Sequence, residues 1–237
     1  MVQARREISQ APEASESINE PRPLWLAASP TGTWLAVPQK TLDRVLGVHV
    51  FDLATGKFLT RVPIWPDGIL WGMRASPDGR WLVCVHRTAN ENRIAIYDSR
   101  DWRLAREMTF RTAREDVLAA SIDPSSRFLA TGGQSEGSLR VWDLHTGQLA
   151  GQCDGSVAGW HPTWSRDGRT LVVRDGERLR FWSTVIFREL ATLPRDWHDG
   201  SHPLGFTADG HSLVTIGSDK RVKAWSPPTL TETDLQP

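Results

Sequence analysis

A short turn phrase recurs five times along the chain, and this repetition limits the possible folds more than any other feature. The clearest copies are Ala28–Gly32 and Ala75–Gly79, and three degenerate copies follow. The copies end at positions 32, 79, 126, 168 and 210, so the intervals are 47, 47, 42 and 42 residues. Three residues after each copy comes a leucine: Leu35, Leu82, Leu129, Leu171 and Leu213. Such a period predicts a repeat architecture with one supersecondary unit per copy.

A second phrase closes each copy with an aromatic residue followed by Asp or Ser. It occurs at Phe51-Asp52, Tyr97-Asp98, Trp142-Asp143, Trp182-Ser183 and Trp225-Ser226. The residues one and three positions before each aromatic are apolar, and the residue between them is variable. This alternation predicts a β-strand with one buried face. Turn residues separate four such short stretches in each copy, so we predict an all-β chain with four strands per copy.

A repeat of about 40–45 residues with four strands and a closing Trp-Asp resembles the WD-repeat β-propeller family. The strongest local match is Ser138–Asp143, and the resemblance extends from Leu24 to about Thr233. It implies a β-propeller of four-stranded antiparallel blades. The predicted organisation is a flexible tail at 1–22 and a propeller at 23–234, with repeats at about 23–65, 66–112, 113–155, 156–196 and 197–234. Because propellers of this family most often have seven blades, five repeats leave two alternatives, an unusually small closed ring and an open or incomplete ring, and we favour the second.

Composition and charge exclude several classes of protein. The chain has 28 Lys and Arg against 28 Asp and Glu, so a strongly basic nucleic-acid or anionic-membrane binder is not expected. Cys84 and Cys153 are too few for a disulfide framework and are predicted to be buried thiols. The first 22 residues contain no apolar run typical of a signal peptide. We therefore predict a cytoplasmic protein with no membrane or nucleic-acid partner.

The chain contains 12 tryptophans, and the repeat explains several of them. Trp142, Trp182 and Trp225 close predicted third strands, whereas Trp34 and Trp81 occupy one equivalent position in predicted second strands. Large flat side chains at such positions are expected to pack between neighbouring blades.

Trp71 and Trp160 require a different explanation. Both lie five residues before the first polar residue of the turn phrase, and His202 is their equivalent in the last copy. The resemblance places these positions at the top rim of the central channel. An exposed aromatic side chain there would anchor a protein partner. The alternative is a buried plug of a narrow channel.

The last copy also matches the family in a second set of residues: His198, Thr215, Asp219 and Trp225. The resemblance implies a structural hydrogen-bond network within the blade, because a buried imidazole needs partners for both nitrogens. The competing reading is a metal site formed by His198, Asp199 and His202. Two loop histidines and one aspartate are a weak zinc signal, and we predict no metal site.

No sequence motif indicates catalysis. The chain lacks a Gly-x-Ser-x-Gly elbow, a phosphate-binding glycine loop and His-Glu-x-x-His. We therefore predict a non-catalytic protein-interaction platform without cofactors. The alternatives are a docking or sensor part of a larger multidomain chain, and a propeller enzyme whose catalytic residues lie in loops. Unpaired strand edges of terminal blades would also permit self-association.

Overall fold

A computed structural model describes most of the repeat region. The described residues are 26–40, 45–65, 69–88, 91–110, 119–133, 139–153, 160–175, 178–193, 202–210, 212–216, 222–226 and 231–234. All regular secondary structure within these ranges is β-strand, as the sequence predicts. The ranges therefore include no helix long and apolar enough to cross a membrane. The predicted tail at 1–22 lies outside the described residues.

The strands form five antiparallel sheets within these ranges, each built from four consecutive strands. Sheet 1 contains β1 (Ala27–Ala28), β2 (Trp34–Lys40), β3 (Val45–Asp52) and β4 (Phe58–Val62). Sheet 2 contains β5 (Ile69–Ala75), β6 (Trp81–Arg87), β7 (Asn92–Asp98) and β8 (Arg103–Phe110). Sheet 3 contains β9 (Ala119–Ile122), β10 (Phe128–Gly132), β11 (Arg140–Asp143) and β12 (Leu149–Gln152). Sheet 4 contains β13 (Trp160–Trp164), β14 (Thr170–Asp175), β15 (Arg178–Ser183) and β16 (Glu189–Leu193). Sheet 5 contains β17 (His202–Phe206), β18 (Leu213–Ile216), β19 (Val222–Ser226) and β20 (Thr231–Asp234).

The chain divides into two compact units, residues 1–110 and 111–237. Unit 1 holds sheets 1 and 2, and its two first strands, β1 and β5, contact each other. Unit 2 holds sheets 3, 4 and 5, and there β13 contacts both β9 and β17. Within each unit, therefore, the first strands of successive sheets lie side by side.

Face-to-face packing of neighbouring sheets builds the hydrophobic cores. In unit 1, Ala36 and Val50 of sheet 1 share a buried cluster with Leu82, Cys84 and Ala95 of sheet 2. Unit 2 contains two such clusters, one between sheets 3 and 4 and one between sheets 4 and 5. Removing this apolar surface from water is the main driving force for assembling the sheets.

Two tryptophan side chains reach from one sheet to the next through their indole nitrogens. In unit 1, Trp34 Nε1 donates to the carbonyl oxygen of Gly79 at 2.7 Å. In unit 2, Trp164 Nε1 donates to the carbonyl oxygen of Ser121 at 3.0 Å. These bonds let a buried indole satisfy its only donor while its ring fills the space between two sheets.

The turn phrase recurs because it closes a specific hydrogen-bonded turn between the first and second strands. The Ser76 hydroxyl accepts from the Trp81 amide at 2.8 Å, and the Gly79 amide donates to the Ser76 carbonyl at 2.9 Å. Gly79 has φ +74°, a backbone conformation that glycine adopts at little cost. In the third copy Ser126 takes this position with φ 62°. The turn geometry is therefore kept even where the glycine is lost.

The turn between the third and fourth strands comes in two forms. Gly56 and Gly147 have φ values of 69° and 73° in sheets 1 and 3. The equivalent residues of sheets 2 and 4 are Trp102 and Phe187, with φ values of 58° and 51°. Since left-handed φ is costly for residues with a Cβ, these two aromatic residues must gain stabilising contacts elsewhere.

The predicted burial of tryptophan and cysteine side chains is confirmed. The five tryptophans expected to pack, Trp34, Trp81, Trp142, Trp182 and Trp225, are all buried, with at most 7% of their surface exposed. Three of them, Trp34, Trp182 and Trp225, lie in clusters between sheets. Cys84 and Cys153 are buried and form no disulfide. The in-phase leucines Leu82, Leu129, Leu171 and Leu213 are almost completely buried as well. The repeat phrases are thus signatures of sheet packing.

Candidate functional site

The predicted rim residues lie at the beginnings of first strands. Trp160 and His202 are the first residues of β13 and β17, and their side chains lie outside the described residues. Trp71 is the third residue of β5 and is half-buried. The register skips it, because Leu70 pairs with His86 and Gly72 pairs with Val85. Trp71 is thus the extra residue of a β-bulge, a device that redirects a side chain at a strand end.

The same end of sheet 2 collects further aromatic and charged side chains. Trp65, in the connection from β4 to β5, meets His86 edge to face with the ring centroids 4.8 Å apart. The Arg93 guanidinium lies 5.6 Å from the Trp65 ring centroid. We name Trp65, Ile69, Trp71, Glu91 and Arg93 the rim cluster.

Local hydrogen bonds position the charged members of the rim cluster. The Thr88 hydroxyl donates to the Glu91 carbonyl at 3.0 Å and accepts from the Glu91 amide at 3.1 Å, which closes the turn between β6 and β7. Arg93 Nε donates to Glu91 Oε1 at 2.7 Å, and both side chains are about three-quarters buried. The ion pair holds the guanidinium over the indole, a favourable cation–π arrangement.

One apolar member of the rim cluster faces solvent. Ile69, the first residue of β5, is 62% exposed, whereas the adjacent Leu70 is 7% exposed. Arg74, later on the same strand, is half-buried. Its Nη1 donates a hydrogen bond to the Met73 carbonyl at 2.8 Å. Burial lowers the pKa of Arg74. This end of unit 1 therefore combines an exposed aliphatic residue with aromatic rings and fixed charges.

The repeat pattern indicated Trp71 but not Trp65, Ile69, Glu91 or Arg93. Trp65 lies in the connection before β5, where the repeat has no aligned position, so phase alone could not select it. Glu91 and Arg93 belong to neither of the two recurring phrases. The available signal was the second aromatic, Trp65, only six residues before Trp71.

The predicted hydrogen-bond network of the last copy is described only in part. Trp225 Nε1 donates to the Thr215 hydroxyl at 3.0 Å, and both residues are buried. His198 and Asp219 lie outside the described residues, so the four-residue network stays a prediction. Sheet 3 contains the same kind of bond, from Trp142 Nε1 to the Thr131 hydroxyl at 2.9 Å.

The described part of the chain contains no cluster of three or more His, Cys, Asp or Glu side chains able to hold a metal ion. Of the metal candidates, His198 and Asp199 lie outside the described residues, as does the side chain of His202. Burial raises the pKa of the Cys84 thiol to about 12, so this sulfur remains protonated and weakly nucleophilic at neutral pH.

Comparison with known proteins agrees with the architecture. The family model described as "WD domain, G-beta repeat" matches residues 105–143, from β8 to the end of β11. The crystal structure of a mitotic checkpoint complex contains a chain that matches 98% of this chain and 72% of its own length. The TM-score is 0.68 and the sequence identity is 18%. This likeness concerns the fold.

Curated relatives share the repeat at low identity. Transducin beta-like protein 3 from Bos taurus is 28% identical over 195 residues, which is 80% of this chain and 24% of that protein. Ribosome biogenesis protein YTM1 from Podospora anserina is 27% identical over 156 residues, or 62% of this chain and 31% of that protein. The chain thus spans about a quarter to a third of the length of these relatives. The repeated phrases, the four-stranded sheets and these similarities together confirm the resemblance of the chain to WD-repeat β-propeller proteins.

Proposed function

We propose that this protein is a non-catalytic platform that binds a protein partner through the rim cluster of unit 1. The observation that carries the proposal is that exposed Ile69 and half-buried Trp71 begin β5 at the end of sheet 2 where Trp65 and the Arg93–Glu91 pair also lie. Aromatic and arginine side chains surrounded by partly buried neighbours are typical of residues that dominate binding energy at protein interfaces.

The rigidity of the sheet lowers the entropic cost of binding a partner at this surface. The rim cluster is held by strand pairing, by the turn at Thr88–Glu91 and by an ion pair, so that little conformational entropy remains to be lost on binding. Trp160 and His202 begin the equivalent strands of unit 2, and we propose them as separate candidate partner contacts of that unit.

The cellular context is part of the same proposal. Two buried cysteines that form no disulfide support a reducing compartment, and we propose the cytoplasm. The similarity to a transducin beta-like protein and to a ribosome biogenesis protein, both matched over the repeat region, supports an interaction role.

The test compares capture by variants of the full chain that differ at one side chain. Proteins retained by the wild type are identified by mass spectrometry, and the measurement is repeated with Ile69→Asp and Trp71→Ala. Val185→Asp is the matched control, because Val185 is an equally exposed aliphatic residue, at 68%, in a turn of sheet 4. We expect Ile69→Asp and Trp71→Ala to lose the same specific partner, whereas Val185→Asp retains it.

Thermal unfolding of each variant separates binding from folding. If Trp71 is a buried plug, Trp71→Ala should cost about 3–5 kcal/mol of unfolding free energy. If Trp71 binds a partner, capture should fall while the melting temperature stays close to that of the wild type. Undiminished capture by folded Ile69→Asp and Trp71→Ala would show that the rim cluster is not the binding surface.

A further inference from the structure

Burial of the second strands divides the five sheets into two groups. In sheets 2, 3 and 4 these strands contain unbroken buried runs: six residues from Trp81, four from Leu129 and three from Leu171. In sheets 1 and 5 buried and half-buried residues alternate instead, from Trp34 to Gln39 and from Leu213 to Ile216. A strand that is covered on both faces is buried continuously, whereas a strand covered on one face alternates. Sheets 1 and 5 therefore each have one face that is only partly covered.

The partly covered face of sheet 1 corresponds, by repeat position, to a fully buried face of sheet 2. It carries the half-buried residues Leu35, Val37 and His49. By repeat position these correspond to Leu82, Cys84 and Ala95, which pack against the preceding sheet in unit 1 and are completely buried. Sheet 1 thus presents the face that sheet 2 uses to pack on a preceding sheet.

The partly covered face of sheet 5 is the other face of the repeat, the one opposite the in-phase leucine. It carries Val214, Ile216 and Val222, which are half-buried, while Leu213 and Trp225 on the other face pack against sheet 4. The equivalent residues of other sheets pack against the sheet that follows. Examples are Ala36, Val48 and Val50 of sheet 1, and Ala130, Leu139 and Val141 of sheet 3.

One pairing rule describes all three sheet–sheet clusters within the units. The face opposite the in-phase leucine of one sheet packs on the leucine face of the next sheet. Sheet 5 offers the first kind of face and sheet 1 offers the second. They are the two halves of a further interface of the same type, with β-branched apolar residues on the sheet 5 side and Leu35, Val37, His49 and Phe51 on the sheet 1 side.

We propose that the sheet 5 face of one copy of this chain binds the sheet 1 face of a second copy. Each of the two faces would then be covered by a sheet of another copy. Inside each unit, the equivalent faces are already covered by neighbouring sheets in the same way. Because the two faces differ, the contact is head to tail, and a chain that carries both faces can form assemblies larger than a dimer.

Single charged substitutions at the two faces test the proposal in the full chain. Val37→Glu blocks the sheet 1 face and Ile216→Glu blocks the sheet 5 face, and both positions are half-buried. Leu104→Glu is the control, because Leu104 is 47% exposed on the outermost strand of sheet 2. Light scattering and sedimentation across micromolar concentrations measure the mass of each species.

We expect the wild type and Leu104→Glu to grow in mass with concentration, whereas Val37→Glu and Ile216→Glu each remain monomeric. Mixing these two variants should restore a species of two chains and no larger one, because each retains one intact, complementary face. A monomeric wild type would overturn the proposal. So would association by Ile216→Glu alone, which would indicate contact between two sheet 1 faces, and so would a mixture that stays monomeric.

Folding of the variants is checked by circular dichroism before their masses are compared. If either charged variant unfolds, Val37→Gln and Ile216→Gln replace it, since a neutral amide weakens an apolar contact with less cost to the monomer. For these pairs we expect weaker association of each variant alone and recovery on mixing.

Discussion

The turns that join the third and fourth strands show how one backbone shape is built from two kinds of side chain. In sheets 1 and 2 the turn closes with the same bond, from the amide of Gly56 to the Asp52 carbonyl at 2.8 Å and from that of Trp102 to the Asp98 carbonyl at 2.7 Å. Gly56 adopts the left-handed conformation without strain, whereas Trp102 adopts it despite its Cβ.

The aromatic turns gain contact with the preceding sheet in return. The Trp102 ring meets Trp34 of sheet 1 edge to face, with centroids 5.4 Å apart. The Phe187 ring lies over Gly151 of β12, where any Cβ would overlap it. Both aromatics pack against buried clusters of the sheets they reach. A turn residue in a strained conformation can therefore stabilise the packing of two sheets when its side chain contacts the preceding sheet.

The largest effect is expected from removing the aromatic ring at position 102. Trp102→Ala loses the contact with Trp34 and should lower the free energy of unfolding by about 3 kcal/mol. Trp102→Gly loses the same contact but relieves the left-handed strain, so it should be about 1 kcal/mol more stable than Trp102→Ala. Urea unfolding of the two variants measures the difference. If the glycine variant were the less stable one, strain at this turn would have no energetic role.

A smaller loss of stability is expected when a methyl group is added to Gly151, on which the Phe187 ring packs. Gly151→Ala forces the ring to move and should cost about 1–3 kcal/mol through overpacking. In a Phe187→Gly background the same substitution should cost much less, because the obstructing ring is absent. A double-mutant cycle of unfolding free energies measures this coupling. Strict additivity would mean that the two residues do not meet in solution.

The next largest loss of stability is expected in the turn of sheet 1 that contains Gly56. Gly56→Ala places a Cβ on a residue with φ 69° and should cost about 1 kcal/mol. Gly72→Ala is the control, because Gly72 lacks a left-handed φ and its nearest neighbouring atom would lie 4.0 Å from the new Cβ. Thermal denaturation should show a lower melting temperature for the first variant and little change for the second. Equal changes would contradict the backbone argument.

The smallest effect is a pH dependence that also distinguishes the two turns. A side-chain hydrogen bond from Arg100 holds the pKa of Asp98 at about 2, below its ordinary value of 3.8. Stability from this carboxylate is therefore fully present above about pH 4 and is lost as the pH falls toward 2. Asp98→Asn should flatten the acid side of the stability curve, measured by urea unfolding at successive pH values.

Asp52→Asn provides the comparison for Asp98→Asn. Asp52 accepts hydrogen bonds from the neutral Thr55 hydroxyl and amide at 2.7 and 2.6 Å, and these bonds lower its pKa. It should therefore contribute a smaller part of the acid dependence than Asp98, which faces two arginines, Arg80 and Arg100. An identical pH profile for the wild type and Asp98→Asn would contradict the assignment.

The fold was predictable because the repeat phase encodes packing directly. Leu82, Leu129, Leu171 and Leu213 are in phase in the sequence, and each is buried at the same position of its sheet. The aromatic turns were not predictable, because local preferences favour glycine at left-handed φ, and the reason for Trp102 lies in another sheet. The five sheets therefore follow from sequence periodicity, whereas the connections between them depend on tertiary contacts.

The candidate site was predictable in one residue and not in its surroundings. The position of Trp71 relative to the turn phrase indicated an aromatic near the start of a first strand. The β-bulge that sets it apart from the ladder depends on the pairing of Leu70 and Gly72 with β6, which periodicity does not reveal. The Arg93–Glu91 pair became recognisable only through its position beside Trp65.

The construction of each sheet from four consecutive strands has a consequence for synthesis on the ribosome. Every strand pairing joins segments that are close in sequence, so the entropic cost of loop closure is small and folding by local steps is favoured. Sheet 1 can form while sheet 2 is still being translated, but Trp34 gains its hydrogen bond only when Gly79 has emerged. Within each unit, ordering of the nascent chain should therefore advance in steps, with each new sheet adding to the burial of the one before it.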